Sequence, residues 1–408
     1  MTGNSARALC CCVAAGMALA MPRARADAVT DWNAAACQIL LNAELDPGSS
    51  HRALAIVHSA IYQAANAITQ RYPATQAAAP AGASVTAAIA ASSRAVLLAL
   101  APSQQAAIET AYQTALAGDA AGAAQADGIA VGAQAAAGML ALRNGDGAAV
   151  VVNYRPVTAA GVYVPTVIPR GANWGQRRPW LMTEAAAFRP GPPPALDSAS
   201  WARDYNEVLV YGAKVGSRRS AEQTAAARFW AATMPAIFYG VVRAVAEAPG
   251  RDPMQNARLY AALAQATDDT AIAVFDAKYH YHFWRPITAI RNGDIDGNPA
   301  TERDPGWTPL LDAPNHPEYP CAHCALASVM ATVLQAELGR GAVPVLSTTS
   351  PTGQPDRRSW PTPAAFSQEV ALARIHSGVH FRSSAEAGTA MGQRIGALAV
   401  AAFRLGAD

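Results

Sequence analysis

Residues 51–68, HRALAIVHSAIYQAANAI, decide the class of fold. Apolar residues recur there at three- and four-residue spacing, the mark of a helix with one buried face, and Ser50 supplies a polar start. Outward from it, residues 74–142 are rich in alanine, the best helix former and small enough for close helix packing. Leu97, Leu98, Leu100, Ile108, Tyr112 and Leu116 give this stretch buriable faces, so two or three helices are expected rather than a low-complexity linker. Arg94 interrupts its most apolar part, so nothing here spans a membrane.

Residues 143–200 change character. Asn144-Gly145-Asp146-Gly147 is a turn signal, VVNYRPV and VYVPTVI look extended, and RPGPPPALDS (189–198) cannot be helical, because proline lacks the amide and clashes with the preceding turn. Helical periodicity resumes near Ser200. Ser220-Ala-Glu-Gln223 reads as a capping box, and helices are expected to about residue 292 and over 321–339, 362–377 and 383–403. The expectation is an all-α fold of tandem helical bundles. An N-terminal helical region over 27–200 carries the irregular Pro-rich excursion at 143–200, and a helical core follows over 201–408.

The 408 residues are 51% hydrophobic and 15% charged, which excludes a disordered chain, a collagen-like chain and a disulfide-dense mini-protein. A net charge of +2 is too mild for a nucleic-acid binder, which shows a clustered basic face. The first 26 residues read as a cleaved signal peptide. Arg7 precedes an apolar run from Ala8 to Met21, and Ala24-Arg25-Ala26 forms a small-x-small cleavage site. That run is shorter than the roughly 20 residues of a spanning helix. Cleavage would remove Arg7, Arg23 and Arg25 and imply a periplasmic or secreted protein in an oxidising compartment.

Six of the eight histidines lie between 280 and 380, beside Lys278, Arg285, Arg374 and Arg382. Such a cluster in a near-neutral chain points to an oxyanion site or a metal site. In Lys278-Tyr-His-Tyr-His-Phe-Trp-Arg285-Pro286, seven residues make nearly two helical turns, so Lys278 and Arg285 are expected on one helix face. Two fixed cations there can clamp a tetrahedral anion; a solvated basic stripe is the alternative, though the YHYHFW flank is aromatic for one. His280 and His282 diverge on a helix, which favours packing over metal ligation. In His316-Pro-Glu-Tyr-Pro320-Cys-Ala-His-Cys324, a Pro-containing turn leads into a helix whose first turn holds His323, where free amides can hold an anion. Cys321 and Cys324 leave a disulfide or free-thiol packing open. A zinc site lacks a second ligand pair, and a thioredoxin-like site lacks the preceding strand. In Arg374-Ile-His376-Ser-Gly378-Val-His380, Gly378 breaks the helix, so that Arg374 and His380 can converge; helix-end decoration is the alternative. Asp294-x-Asp296-x-Asn298 imitates a calcium loop but has prolines where that loop needs Gly and Glu, so it is expected to be a turn.

Taken together, the three elements resemble the type 2 phosphatidic acid phosphatase and vanadium haloperoxidase superfamily, whose signature is K-x6-R-P, then P-S-G-H, then S-R-x5-H. They stand here as Lys278 to Arg285-Pro286, Pro320-Cys321-Ala322-His323, and Arg374 to His380. The flanks RPGPPPALDS, EQTAAARFWA and HPEYP look like the soluble bacterial haloperoxidase-like branch, with similarity over most of 30–405. The resemblance implies two four-helix bundles around a vanadate or phosphate site. Lys278, Arg285 and Arg374 would neutralise the equatorial oxygens, with Cys321 and Ala322 at the loop that also binds the anion. His380 would be the axial vanadium ligand, and His323 the general acid/base.

With vanadate, such a site oxidises bromide or chloride with hydrogen peroxide. Without that cofactor, a phosphatase would hydrolyse phosphomonoesters through a phosphohistidine at His380. A degenerate oxyanion-binding protein is the third alternative. Two departures distinguish this chain. Cys321-Ala322 replaces Ser-Gly, putting a weak donor and an added Cβ at the anion loop. Ser384 replaces the Asp that commonly orients the last histidine in the phosphatases, so His380 needs another partner.

Overall fold

A computed structural model describes residues 27–73 and 77–406; the proposed signal segment lies outside the described residues. Five helices form the N-terminal part: α1 (Ala28–Asn42), α2 (Pro47–Thr69), α3 (Val85–Leu100), α4 (Gln105–Ala117) and α5 (Ala123–Leu142). The alanine-rich stretch thus folds into three helices. Asp46 caps α2 by accepting the Ser49 N–H, and Pro47 occupies the first helical position, where its missing amide costs nothing. Small residues allow α3 and α5 to approach closely. A Cβ on Gly128 or Gly132 would lie 2.3 Å from a carbonyl oxygen of the facing chain.

After the excursion come α6 (Ala199–Tyr211), α7 (Ala221–Phe229), α8 (Ala236–Ala246), α9 (Pro253–Tyr281), α10 (Pro286–Arg291), α11 (Ala322–Leu338), α12 (Pro363–His376) and α13 (Arg382–Phe403). The capping box at Ser220 and Gln223 is formed, and a second one, Asp252 with Gln255, opens α9. The long helix α9 joins the two bundles: it packs on α2 on one side and on α11 and α13 on the other. Helix α11 is clasped between α12 and α13. Gly388, Gly392 and Gly396, spaced four apart, let α13 lie directly on α11; a Cβ on Gly388 would sit 2.3 Å from the Cys321 carbonyl. One large core runs through both bundles, with a smaller cluster around Trp201 and Trp284.

Three expectations change. The extended stretches at 151–168 find no strand partner beyond an isolated bridge between Val162 and Phe283. A short antiparallel hairpin, β1 (Leu346–Thr349) with β2 (Arg357–Trp360), packs on α8 and was not expected. Helix α9 stops at Tyr281, because His282 adopts a left-handed conformation (φ 52°) and donates its N–H to the Lys278 carbonyl. Arg285 therefore lies outside that helix, and the same-face reading of Lys278 and Arg285 is corrected. The residue before a proline is driven to extended backbone, and Arg285 becomes the cap of α10.

The excursion is fastened to α9 by buried charge. Arg177 pairs with Asp268 at 2.9 Å, and the Asp269 carboxylate accepts the N–H groups of Trp180, Leu181 and Met182 at 2.7–3.0 Å. Arg189 makes a two-pronged pair with Asp276. Arg170 and Trp174 of the excursion line the cavity that His323 and His380 also line. Among the described residues, no helix is long and apolar enough to cross a membrane.

Candidate active site

The three sequence elements converge. Lys278, in the last turn of α9, is fully buried, and its Nζ donates to the carbonyls of Pro317 (3.0 Å) and Glu318 (2.8 Å). Arg285 reaches the same loop from the start of α10. Its Nε donates to the His316 carbonyl at 3.0 Å and its Nη1 to the Val379 carbonyl at 2.8 Å, while Nη2 lies 2.9 Å from His316 Nδ1. Arg374 comes from the last turn of α12. It donates one Nη1 bond to the Trp230 carbonyl at 2.7 Å, and its buried Nε has no partner.

The chain turns back at Gly378, whose positive φ of 77° suits glycine, and where a Cβ would lie 2.5 Å from the Gly212 carbonyl. That turn returns His380 to the cluster, with Nε2 3.3 Å from Arg285 Nη1. His323 occupies the first turn of α11, its Nε2 3.2 Å from the Ala232 carbonyl. A carbonyl only accepts, so Nε2 carries the hydrogen and Nδ1 keeps its lone pair.

His316, Ala322, His323, Arg374 and His380 line one cavity of about 240 Å³. Lys278 and Arg285 stand behind that wall rather than on it. Cys321 is corrected as an anion donor. Its sulfur is bonded to Cys324 and accepts the Cys324 N–H at 3.2 Å, so it has no thiol hydrogen to give. Its backbone N–H is spent on the Ser384 carbonyl. His280 is exposed and His282 stacks on Tyr154, so neither reaches the site; His376 leans on Tyr211 instead.

Two residues escaped the sequence reading. Glu318, fully buried, places Oε1 2.7 Å from His380 Nδ1, while Ser384 Oγ approaches the same nitrogen only to 3.3 Å. The quoted HPEYP segment contained this glutamate, but nothing in its spacing announced a partner 62 residues away. His51, buried in α2, also lines the cavity, as does Trp174, and no motif pointed to it.

The electrostatics follow from burial. Desolvation, with Arg285 adding to it, pushes Arg374 down to about 9; desolvation also pushes Arg285 down to about 10 against the opposing pull of Glu318. Lys278 is lowered well below its usual value by burial and by Arg285. His323 and His380 are held neutral, first by burial and then by the neighbouring arginines. Glu318 is pushed up to about 7 by burial, although Arg285 and Lys278 oppose this. Of the three buried cations, Arg285 and Lys278 act on the one buried carboxylate, Glu318. Among the described residues none of the three makes an ion pair, and their donors meet carbonyls instead. Stacked positive charge of this kind has the chemistry of an oxyanion receptor, with Arg as a fork and Lys as a point charge.

Comparison with known proteins bears on the fold. Residues 258–405 match the family described as the VCPO second helical-bundle domain. A vanadium chloroperoxidase of Curvularia inaequalis is 25% identical over 190 residues, which is 38% of this chain and 30% of that protein's length. The match therefore spans less than a third of that relative. The structure of a bacterial vanadium-dependent iodoperoxidase superposes with a TM-score of 0.77 at 23% identity, covering 92% of this chain and 95% of the other. An apo-type bacterial vanadium-dependent chloroperoxidase gives 0.72 at 16% identity, over 88% and 93%. The C-terminal bundle thus matches a helical-bundle domain described from the vanadium chloroperoxidases, and the fold along the chain is the one seen in the bacterial vanadium-dependent haloperoxidases.

Proposed function

We propose that the protein is a vanadium-dependent haloperoxidase-like enzyme, using hydrogen peroxide to oxidise halide. The observation that carries this is the excess of buried cation beside His323 and His380 on one cavity wall. Arg374 fits a tetrahedral vanadate in particular, because its buried Nε faces no protein acceptor. In this reading Arg374 and the Nε2 lone pair of His380 meet the anion directly, while Arg285 and Lys278 add charge from behind the wall. Ala322 begins α11, whose N-terminal amides and dipole also favour negative charge. Vanadate, when bound, supplies the Lewis-acid centre at which peroxide is activated toward halide.

The proton chemistry belongs to the chain. His323 is neutral because of burial and the field of Arg374. A bound oxyanion offsets that field, so binding raises the basicity of His323 and readies it to take up and return a proton. His380 stays neutral and keeps Nε2 as a lone-pair donor.

One observation favours phosphomonoester hydrolysis through a phosphohistidine at His380 as a second reading. The Glu318 carboxylate on Nδ1 supplies the orienting acid that Ser384 does not, and a carboxylate-held histidine is suited to nucleophilic attack. The disulfide at Cys321, which removes a donor from the anion loop, is what would favour mere oxyanion binding.

One purified preparation, assayed with and without orthovanadate, separates the three. Bromination of a phenol dye with peroxide that requires orthovanadate supports the haloperoxidase. Aryl phosphate hydrolysis that orthovanadate inhibits sinks it in favour of the phosphatase. Anion binding without either activity leaves a binding protein. We further propose that residues 1–26 direct export to the periplasm or beyond; the Cys321–Cys324 disulfide agrees with an oxidising compartment.

A further inference from the structure

His380 is the one imidazole in the cluster with a carboxylate on its ring. Glu318 Oε1 lies 2.7 Å from His380 Nδ1 and also accepts the N–H of Phe381 at 3.0 Å. One oxygen thus lies within hydrogen-bond distance of nitrogens from two consecutive residues, which fixes both the ring and the backbone that carries it. The loop beneath is held just as firmly. Lys278 Nζ grips the carbonyls of Pro317 and Glu318, and the Glu318 N–H donates to the Phe283 carbonyl at 2.8 Å. Glu318 is fully buried, so no water competes for this contact.

We propose that Glu318 is a positioning residue, whose carboxylate keeps the His380 proton on Nδ1 and so presents the Nε2 lone pair to the bound anion. The partner of one ring nitrogen sets what the other can do, and an ionised carboxylate can only accept. An unrestrained histidine carries its proton mainly on Nε2, which would leave a hydrogen aimed at Arg285 and the cavity. Ser384 cannot enforce the choice, since a hydroxyl either donates or accepts and its oxygen stands 3.3 Å away. Lys278 acts in the same assembly, bracing the glutamate's loop from behind the wall.

The proposal rests on the oxyanion reading of the site for its consequence, but the tautomer is measurable with no anion present. Long-range proton–nitrogen spectra of the full chain, labelled at histidine, report it; His380 is assigned by the signal missing in His380→Gln. Native protein is expected to show the Nδ1–H form. Glu318→Ala is expected to move His380 to mainly Nε2–H and to weaken inorganic phosphate or orthovanadate binding by roughly 10- to 100-fold. Glu318→Gln keeps an acceptor oxygen of the same shape and should keep the tautomer, with a smaller loss of affinity. An Nε2–H form in native protein overturns the proposal, as does a Glu318→Ala variant with unchanged tautomer and affinity. Should Glu318→Ala fail to fold, the native spectrum and the isosteric variant decide it. If the tautomer is as stated and neither anion binds, the haloperoxidase reading fails and this one stands.

Discussion

Helix α9 carries two buried charge clusters less than three turns apart, and they are built on opposite plans. At Asp268 and Asp269 each carboxylate is matched: Arg177 stands 2.9 Å from the first, and three backbone N–H groups meet the second. At Lys278 the charge is stacked with its like, beside Arg285 and Arg374, and only one carboxylate lies among them. The first arrangement gives each carboxylate a donor from the excursion and so holds it in place, although burial, with Asp268 adding to it, pushes Asp269 up to about 6. The second is costly in the free protein, because Arg285 depresses both Lys278 and Arg374, and in the proposed function an anion from outside offsets that cost. Matched buried charge therefore marks architecture here, and unmatched buried charge marks the site.

The contrast can be broken by substitution. Asp268→Asn leaves Arg177 buried without a counter-charge, and is expected to destabilise the fold by about 3–5 kcal/mol without changing oxyanion affinity. Denaturant unfolding alongside anion titration checks both halves. Arg374→Met is expected to do the reverse. Oxyanion affinity should fall by roughly 100-fold or more, while unfolding free energy stays level or rises, since one uncompensated cation is gone. Equal damage to stability from both variants would erase the distinction. Saturating anion should restore the balance at Lys278: at about 100 times its Kd, orthovanadate or phosphate is expected to stabilise the native chain by about 2.7 kcal/mol, seen as a raised melting temperature, and to do so far less in Arg374→Met.

A smaller effect concerns pH. His58 is buried in α2, with Nε2 2.9 Å from Asn33 Nδ2 and its ring stacked on Tyr260, and burial pushes it down to about 3. The unfolded chain takes up a proton near 6.5 and the folded chain only near 3, so stability should fall as pH drops through that window. His58→Gln should flatten this slope in melts recorded between pH 7 and pH 4. His323 is also held neutral, but bound anion favours its charged form, so added phosphate should shrink its share of the slope and leave that of His58.

Much of this was legible in order and spacing. Three short signatures placed Lys278, Arg285, His323, Arg374 and His380 in one cluster, and the glycine after His376 announced the turn that makes Arg374 and His380 meet. Local rules succeeded where the cause was local, as at the Ser220 capping box and the proline-barred 189–198 segment. They failed where a distant partner decides. Glu318 is one carboxylate in a proline-rich loop until His380 folds against it. The Lys278 and Arg285 pairing was foreseen on one helix, but a left-handed His282 and the proline after Arg285 deliver it across a helix break. Cys321 reads as a substituted anion donor until Cys324, one turn on, takes its sulfur.

In the proposed function, the unmatched cations of the C-terminal bundle form a receptor for one tetrahedral oxyanion. Calorimetric titration of the native chain with orthovanadate at neutral pH tests it most directly, with inorganic phosphate as competitor. One orthovanadate bound per chain, displaced by phosphate and lost in Arg374→Met, is the predicted result. No binding, or binding unchanged by Arg374→Met, would contradict it.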